Sequence, residues 1–126
     1  MKTPTPTPKL VMCATLWSMI GWPAPRHEWS LMQKLRAIAA AGFDGAVAYI
    51  TPEIRDGADR LGLRLMSGFD CRDLPETVER LRTQRDLGAH FINIQLLNHD
   101  TPPAQAARLA VKLIRASRAL GLGVHI

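Results

Sequence analysis

Cysteine, aromatic residues and long apolar runs are all scarce in this sequence. Its 126 residues include two cysteines, Cys13 and Cys71, and aromatic residues make up 6%. Two distant cysteines without a Cys-x-x-Cys spacing exclude a disulfide-stapled scaffold and favour a reducing compartment. No apolar run reaches the ~20 residues that a transmembrane helix needs. We therefore expect a cytoplasmic protein that is not embedded in a membrane.

Several motifs that identify enzyme classes are also missing. Neither Gly-x-Gly-x-x-Gly nor a Walker A loop follows a predicted strand, and no Gly-x-Ser-x-Gly turn occurs. His27-Glu28 lacks the second histidine of a His-Glu-x-x-His helix. Function has to be inferred from polar residues that the fold brings together.

Positive charge is in excess but is not concentrated in one segment. The net formal charge is +5, and the arginines are spread over several predicted helices. They are not interleaved with aromatic residues and form no basic arm. This pattern favours a solvated outer surface, so we expect no nucleic-acid partner.

One pattern that is present occurs four times: a helix-like segment, then a glycine, then a short apolar run. The glycines are Gly42, Gly62, Gly88 and Gly121. Glycine readily adopts the left-handed conformation that closes a helix. Repeated βα units of this kind predict an α/β fold with a parallel sheet.

The four apolar runs and a further run near the N-terminus define five predicted strands. We place them at 10–20, 45–50, 63–67, around 91–97 and 122–126. The first run follows Lys2 and Lys9 and therefore also has features of a signal peptide; we favour a strand. Residues 1–9 alternate Thr and Pro and are predicted to be a flexible tail, which leaves 10–126 as one domain.

Local signals also predict where the helices begin. The first helix is expected at about 28–41. Thr51 and Asp73 are predicted N-caps, the latter in a capping box with Glu76. Thr101-Pro102 resembles Thr51-Pro52 and predicts that the fourth helix begins in the same way.

In parallel α/β folds, ligands bind beyond the carboxyl ends of the strands. Asn93 and Gln95 interrupt the apolar run of the fourth strand at period two, so both point to the same side. They indicate a polar site, although two internally satisfied amides would give the same pattern. The other polar candidates near strand ends are His27, Glu28, Ser67, Asp70, Asn98, His99 and Asp100.

Three segments resemble the sugar phosphate isomerase/epimerase family, the xylose-isomerase-like TIM barrels. They are 40–45, 91–95 and 121–126, and Trp17-Ser18 at the end of strand one fits the same family. The resemblance implies a TIM-barrel-like fold, of which four βα units plus a fifth strand are about half. It also implies a sugar or sugar phosphate as substrate and proton transfer next to a carbonyl.

The family's metal site falls outside this sequence. Its members bind a divalent metal (Mn, Mg, Zn or Co) through two Glu, an Asp and a His on later strands, and the first Glu would follow Ile126. We expect this chain to bind no metal well, to be inactive alone, and to have no assignable catalytic residue. The substrate-binding residues that carry over are Trp17, Asn93 and Gln95, and His99 is added from its position alone.

Two other interpretations stay open. The chain resembles half of a barrel, so it is also compatible with a non-catalytic module that binds a small ligand or forms homo-oligomers through exposed strand edges. An endonuclease-IV-like barrel fragment is the third interpretation. It would require additional histidine ligands and a clustered basic groove, neither of which is evident.

Overall fold

The computed structural model describes residues 9–122 together with the backbone of Val124 and His125. Its strands and helices alternate along the chain. They are β1 Cys13–Thr15, α1 Leu31–Ala40, β2 Gly45–Val47, α2 Pro52–Leu61, β3 Arg64–Cys71, α3 Leu74–Asp86, β4 Phe91–Leu96, α4 Pro103–Ala119 and β5 Val124–His125. Two short 3-10 turns, Trp17–Met19 and Pro25–His27, lie between β1 and α1.

All five strands form one parallel sheet in the order β1-β2-β3-β4-β5. This confirms the predicted α/β class and the consecutive βα units. The predicted flexible tail lies, apart from Lys9, outside the described residues, and so do Gly123 and Ile126 of the predicted fifth strand.

The helices cover one face of the sheet and leave the other face open. Alternate strand residues, including Leu65, Ile92 and Ile94, are buried beneath the helices in two apolar clusters. The intervening residues of β3 and β4 point away from the helices. We call this second surface the inner face, because it would line the interior of a closed barrel.

The glycine pattern is confirmed at all four repeats. The backbone φ angles of Gly42, Gly62, Gly88 and Gly121 are +86°, +67°, +81° and +72°. At Gly88 a side chain would in addition overlap the guanidinium of Arg55, which donates to the Leu87 carbonyl at 2.6 Å. Each helix therefore ends in the conformation that favours glycine, and the next strand begins.

A buried glutamine, which sequence reasoning missed, joins α3 to the sheet. Gln84 is fully buried; its Oε1 accepts from the Ile50 amide at 2.7 Å and from the Ser67 hydroxyl at 2.5 Å. Its Nε2 donates to the Ile50 carbonyl at 3.0 Å. One side chain thus satisfies both backbone groups of Ile50 where the chain passes from β2 to α2.

Three strand predictions were wrong in length. The second strand, predicted at 45–50, ends at Val47, because Gln84 rather than a neighbouring strand bonds both backbone groups of Ile50. The run 10–20 contains only a three-residue strand, because the Ser18 hydroxyl donates to the Thr15 carbonyl at 2.8 Å and the chain turns there. The third strand, predicted to end at Ser67, continues through residues 68–71 and pairs with β4 as far as Cys71. Asp70 is tolerated within it because its side chain lies on the open inner face.

Helix starts were predicted with mixed success. Thr51 and Asp73 accept hydrogen bonds from the Ile54 and Glu76 amides, as expected. The first helix begins three residues later than predicted, after Ser30, which forms a capping box with Gln33.

The Thr101 prediction was also wrong, because α4 begins at Pro103 and Pro102 occupies the N-cap. A residue that precedes proline is disfavoured in the helical conformation, and Pro102 is accordingly extended with ψ 132°.

Candidate functional site

The candidate site lies on the inner face, towards the carboxyl ends of β1, β3 and β4. Parallel register places Gly68 beside Asn93 and Asp70 beside Gln95. Alternate residues of a strand share a face, so the three polar side chains form one group on neighbouring strands. The predicted common side of Asn93 and Gln95 is confirmed.

Trp17 covers this group from the direction of β1. It lies in the turn that directly follows β1, where the Leu16 amide bonds to the Val47 carbonyl at 3.0 Å. A Cβ added to Gly68 would lie 2.7 Å from Cη2 of the Trp17 ring. Gly68 therefore provides the space in which the indole crosses β3, a contribution that sequence reasoning missed.

Together these residues enclose a cleft of about 250 Å³, which we call the inner cleft. Trp17, Gly68, Phe69, Asp70, Asn93 and Gln95 line it. Gln95 Nε2 is 3.5 Å from Asn93 Oδ1, a long hydrogen bond. Asp70 has no side-chain hydrogen bond or ion pair within the described part of the chain. The cleft wall thus offers an aromatic face, amide donors and acceptors, and a carboxylate to one ligand.

A second cleft of about 380 Å³ adjoins the first and shares Trp17, Gly68, Phe69 and Asp70 with it. Tyr49 and Arg80 complete its wall. The Tyr49 and Phe69 rings meet edge to face, with centroids 5.7 Å apart and planes at 82°. Arg80 comes from α3 and was not predicted, because nothing in its local sequence separates it from the other arginines of that helix.

The structure brings together three of the four predicted substrate-binding residues. Trp17, Asn93 and Gln95 share the inner cleft, whereas His99 lines neither cleft and its side chain is 91% exposed. The nearest charged partner of His99 is Asp100, at 3.6 Å.

Other polar candidates have structural partners elsewhere. Ser67, one of the polar candidates, lies on the helix-covered face and bonds to Gln84, so it does not line the inner cleft. Asn98 accepts from the Asp100 amide at 3.0 Å and organises its own loop. Glu28 forms an ion pair with Lys34, and His27 ends an exposed 3-10 turn next to it.

The two cysteines are free thiols, and neither lies in the clefts. Burial raises the pKa of the Cys71 thiol, which accepts a hydrogen bond from the Thr77 hydroxyl at 3.0 Å. Burial and then the Asp44 carboxylate raise the pKa of Cys13. A thiol with a raised pKa is a poor nucleophile at neutral pH.

The described residues contain no ligand set for the divalent metal of the family that the sequence resembles. Among residues 9–122 no three His, Cys, Asp or Glu side chains are grouped so that they could hold a metal ion. Asp70 is the single carboxylate on the wall of the inner cleft. These residues fit direct hydrogen bonding to a ligand better than metal coordination.

Comparison with known proteins identifies the fold. Neither a protein-family model nor a curated protein sequence matches the chain. It is similar in structure to the carboxyl transferase domain of Rhizobium etli pyruvate carboxylase, solved with 3-bromopyruvate, with a TM-score of 0.57 and 19% identity. That match covers 75% of this chain and 18% of the other chain. The neighbour is a TIM-barrel domain, so the βα units described here have the fold of one portion of such a barrel.

Within the part of the chain that the structure describes, the longest helix has 17 residues, and none combines the length and apolarity that crossing a membrane requires.

Proposed function

We propose that the inner cleft binds a sugar or sugar phosphate and that the chain is the ligand-recognising part of a protein of the sugar phosphate isomerase/epimerase type. The observation that carries this proposal is the grouping of Trp17, Asp70, Asn93 and Gln95 around one cleft. The site lies on the middle and carboxyl-terminal parts of β3 and β4, towards the end of the sheet at which TIM-barrel enzymes bind their substrates.

The chemistry of the wall suits a polyhydroxylated molecule. The indole of Trp17, 49% exposed, presents a flat apolar surface on which the C–H face of a sugar ring can pack. The amides of Asn93 and Gln95 each supply donors and acceptors, and hydroxyl groups require both. The Asp70 carboxylate accepts hydrogen bonds, and a hydroxyl donates to it more strongly than to a neutral acceptor.

The proposed reaction class is proton transfer next to a carbonyl of the bound sugar. In such a reaction a carboxylate accepts the proton, and within the inner cleft Asp70 is the group of that type. The described residues offer no ligand set for a metal. We propose for this part of the barrel the roles of holding the sugar and orienting its hydroxyl groups.

Ligand binding by single-site variants tests the proposal. Aldoses and ketoses, with and without a phosphate, are titrated into the chain by isothermal calorimetry, and wild type is compared with Trp17→Phe and Asn93→Ala. We expect Asn93→Ala to weaken binding about fivefold, as the loss of one neutral hydrogen bond predicts. Trp22→Phe is the matched control, because Trp22 is similarly exposed, at 52%, but lines neither cleft. Equal effects at Trp17 and Trp22, or no binding of any sugar, would contradict the proposal.

A second candidate function, self-association, is favoured by the surface next to β1. In the described sheet β1 pairs on one side only. The residues just before it are apolar and exposed, with Leu10 at 78% and Met12 at 54%. An open edge flanked by exposed apolar residues favours pairing with another chain. Sedimentation velocity over a concentration series should show association that Leu10→Lys reduces; a monomer at every concentration would contradict it.

A further inference from the structure

We propose that Arg80 recognises an anionic group on the ligand, a phosphate or a carboxylate, at the end of the site beyond Trp17. This inference rests on the proposed function, since it assigns the charged part of the same ligand. It makes the site one for acidic sugars, with the hydroxylated part in the inner cleft and the anion against α3.

Arg80 contacts three neighbours that limit its movement. Its guanidinium carbon lies 5.7 Å from the centroid of the Phe69 ring and 5.9 Å from that of Tyr49. Its Nη2 is 2.7 Å from Glu76 Oε1, one turn earlier on α3. Cation–π contacts and an ion pair together restrict a side chain that would otherwise move freely. Preorganisation of this kind lowers the entropy lost when a ligand binds.

The contacts leave part of the guanidinium available. Arginine carries five N–H donors, and the described partners of Arg80 engage Nη2. Its side chain is 39% exposed, so an incoming anion can reach the other donors. Planar donors in a fork match the oxygens of phosphate and carboxylate groups.

Arg80 also lies where the clefts meet. It lines the cleft that contains Trp17 and Asp70, and it lines a further cleft of about 360 Å³ with Arg72. Asp70 and Glu76 border that further cleft as well, so its arginines are matched by two carboxylates. Glu76 is 57% exposed, so water screens the repulsion between its carboxylate and an anion bound to the other donors of Arg80. Because these charges balance, the cleft offers an anion no net electrostatic attraction, and the preference for an anion comes from directed hydrogen bonds to Arg80.

The test compares one sugar in three forms: neutral, phosphorylated and oxidised to the sugar acid. Affinities are measured for wild type, Arg80→Lys and Arg80→Met, and thermal melts establish that the variants fold. We expect Arg80→Met to weaken binding of an anionic form about tenfold or more, the effect of losing a charge-assisted hydrogen bond. The neutral sugar should change little, and Arg80→Lys should retain part of the preference as a point charge. The form that loses more affinity identifies phosphate or carboxylate as the group recognised.

Arg82→Met is the matched control on the same helix, since Arg82 pairs with Glu79 and lines none of the three clefts. If the anionic and neutral sugars bind wild type equally, or if Arg80→Met weakens both alike, the inference about Arg80 is wrong and the sugar site remains. If none of the three forms of the sugar binds, both the proposed function and the inference about Arg80 are wrong.

Discussion

The hydrogen bonds of Gln84 lead to a quantitative prediction about stability. Replacement by leucine keeps a similar volume but removes the partners of the Ile50 amide, the Ile50 carbonyl and the Ser67 hydroxyl. Ile50 is 1% exposed and Ser67 is fully buried, so water cannot replace the lost partners without opening the core. The variant therefore leaves three polar groups buried and unsatisfied.

The expected cost follows from those three groups. An unsatisfied buried donor or acceptor costs about 1–3 kcal/mol, so the three groups predict that Gln84→Leu lowers the free energy of unfolding by ~3–9 kcal/mol. That is a large part of the ~5–15 kcal/mol by which domains are stable. Adding Ser67→Ala to the Gln84→Leu variant removes one of the three unsatisfied groups, so it should raise the free energy of unfolding by about 1 kcal/mol.

Urea unfolding followed by circular dichroism measures these differences. Gln105→Leu is the matched control, because Gln105 is exposed on α4, and its effect should stay within about 0.5 kcal/mol. A loss below about 1 kcal/mol in Gln84→Leu would refute the role assigned to this side chain. So would a double variant that is less stable than the single one.

Three further substitutions test local features. Gly68→Ala should displace the ring of Trp17, shift tryptophan emission and weaken sugar binding, while thermal melts change little because the ring end can move. Gly88→Ala should lower stability by more than the ~1–2 kcal/mol expected for a left-handed residue, because its methyl group would displace the Arg55 guanidinium and break its hydrogen bond to the Leu87 carbonyl. Urea melts measure this. The hydrogen bond from the Lys34 ammonium holds the pKa of Glu28 below its ordinary value of 4.5. A carboxyl group with a lowered pKa stabilises the fold at pH values above its ordinary pKa, and this stability is lost as the pH falls through the lowered pKa. Glu28→Gln should therefore abolish this part of the acid dependence in urea melts.

Each of these three predictions has a result that would contradict it, and Gly62 provides a control for Gly88. Gly62 also has a positive φ, +67°, but a Cβ there meets nothing within 4 Å, so Gly62→Ala should cost less than Gly88→Ala. Equal costs would refute the contact with Arg55. Unchanged tryptophan emission in Gly68→Ala would refute the packing of Trp17 on β3. An acid dependence of Glu28→Gln identical to that of wild type would refute the stabilising ion pair.

Features encoded by neighbouring residues were predictable from the sequence. Gly42, Gly62, Gly88 and Gly121 marked the helix ends because a left-handed residue closes a helix locally. The shared side of Asn93 and Gln95 followed from strand geometry. The start of α4 at Pro103 could also have been predicted, because the consecutive prolines Pro102 and Pro103 prevent Thr101 from acting as the N-cap.

Features that depend on distant residues were not predictable. Gln84 bonds to Ile50 across 34 positions of the sequence, and no local pattern distinguishes it from a surface glutamine. Arg80 reaches the site because α3 packs where the Tyr49 and Phe69 rings meet. β3 was predicted too short because Gly68 and Asp70 resemble loop residues, whereas the open inner face accepts both.

The most direct test of the proposed sugar site is a titration followed by NMR of the side-chain N–H groups. A sugar phosphate is added to ¹⁵N-labelled chain, and the signals of the Asn93 and Gln95 amides and of the Trp17 indole are monitored. The predicted result is that these three signals shift together along one binding curve, while those of Trp22 and Asn98 stay in place. Shifts confined to Trp22 and Asn98, or no shift at any of the five, would contradict a sugar site in the inner cleft.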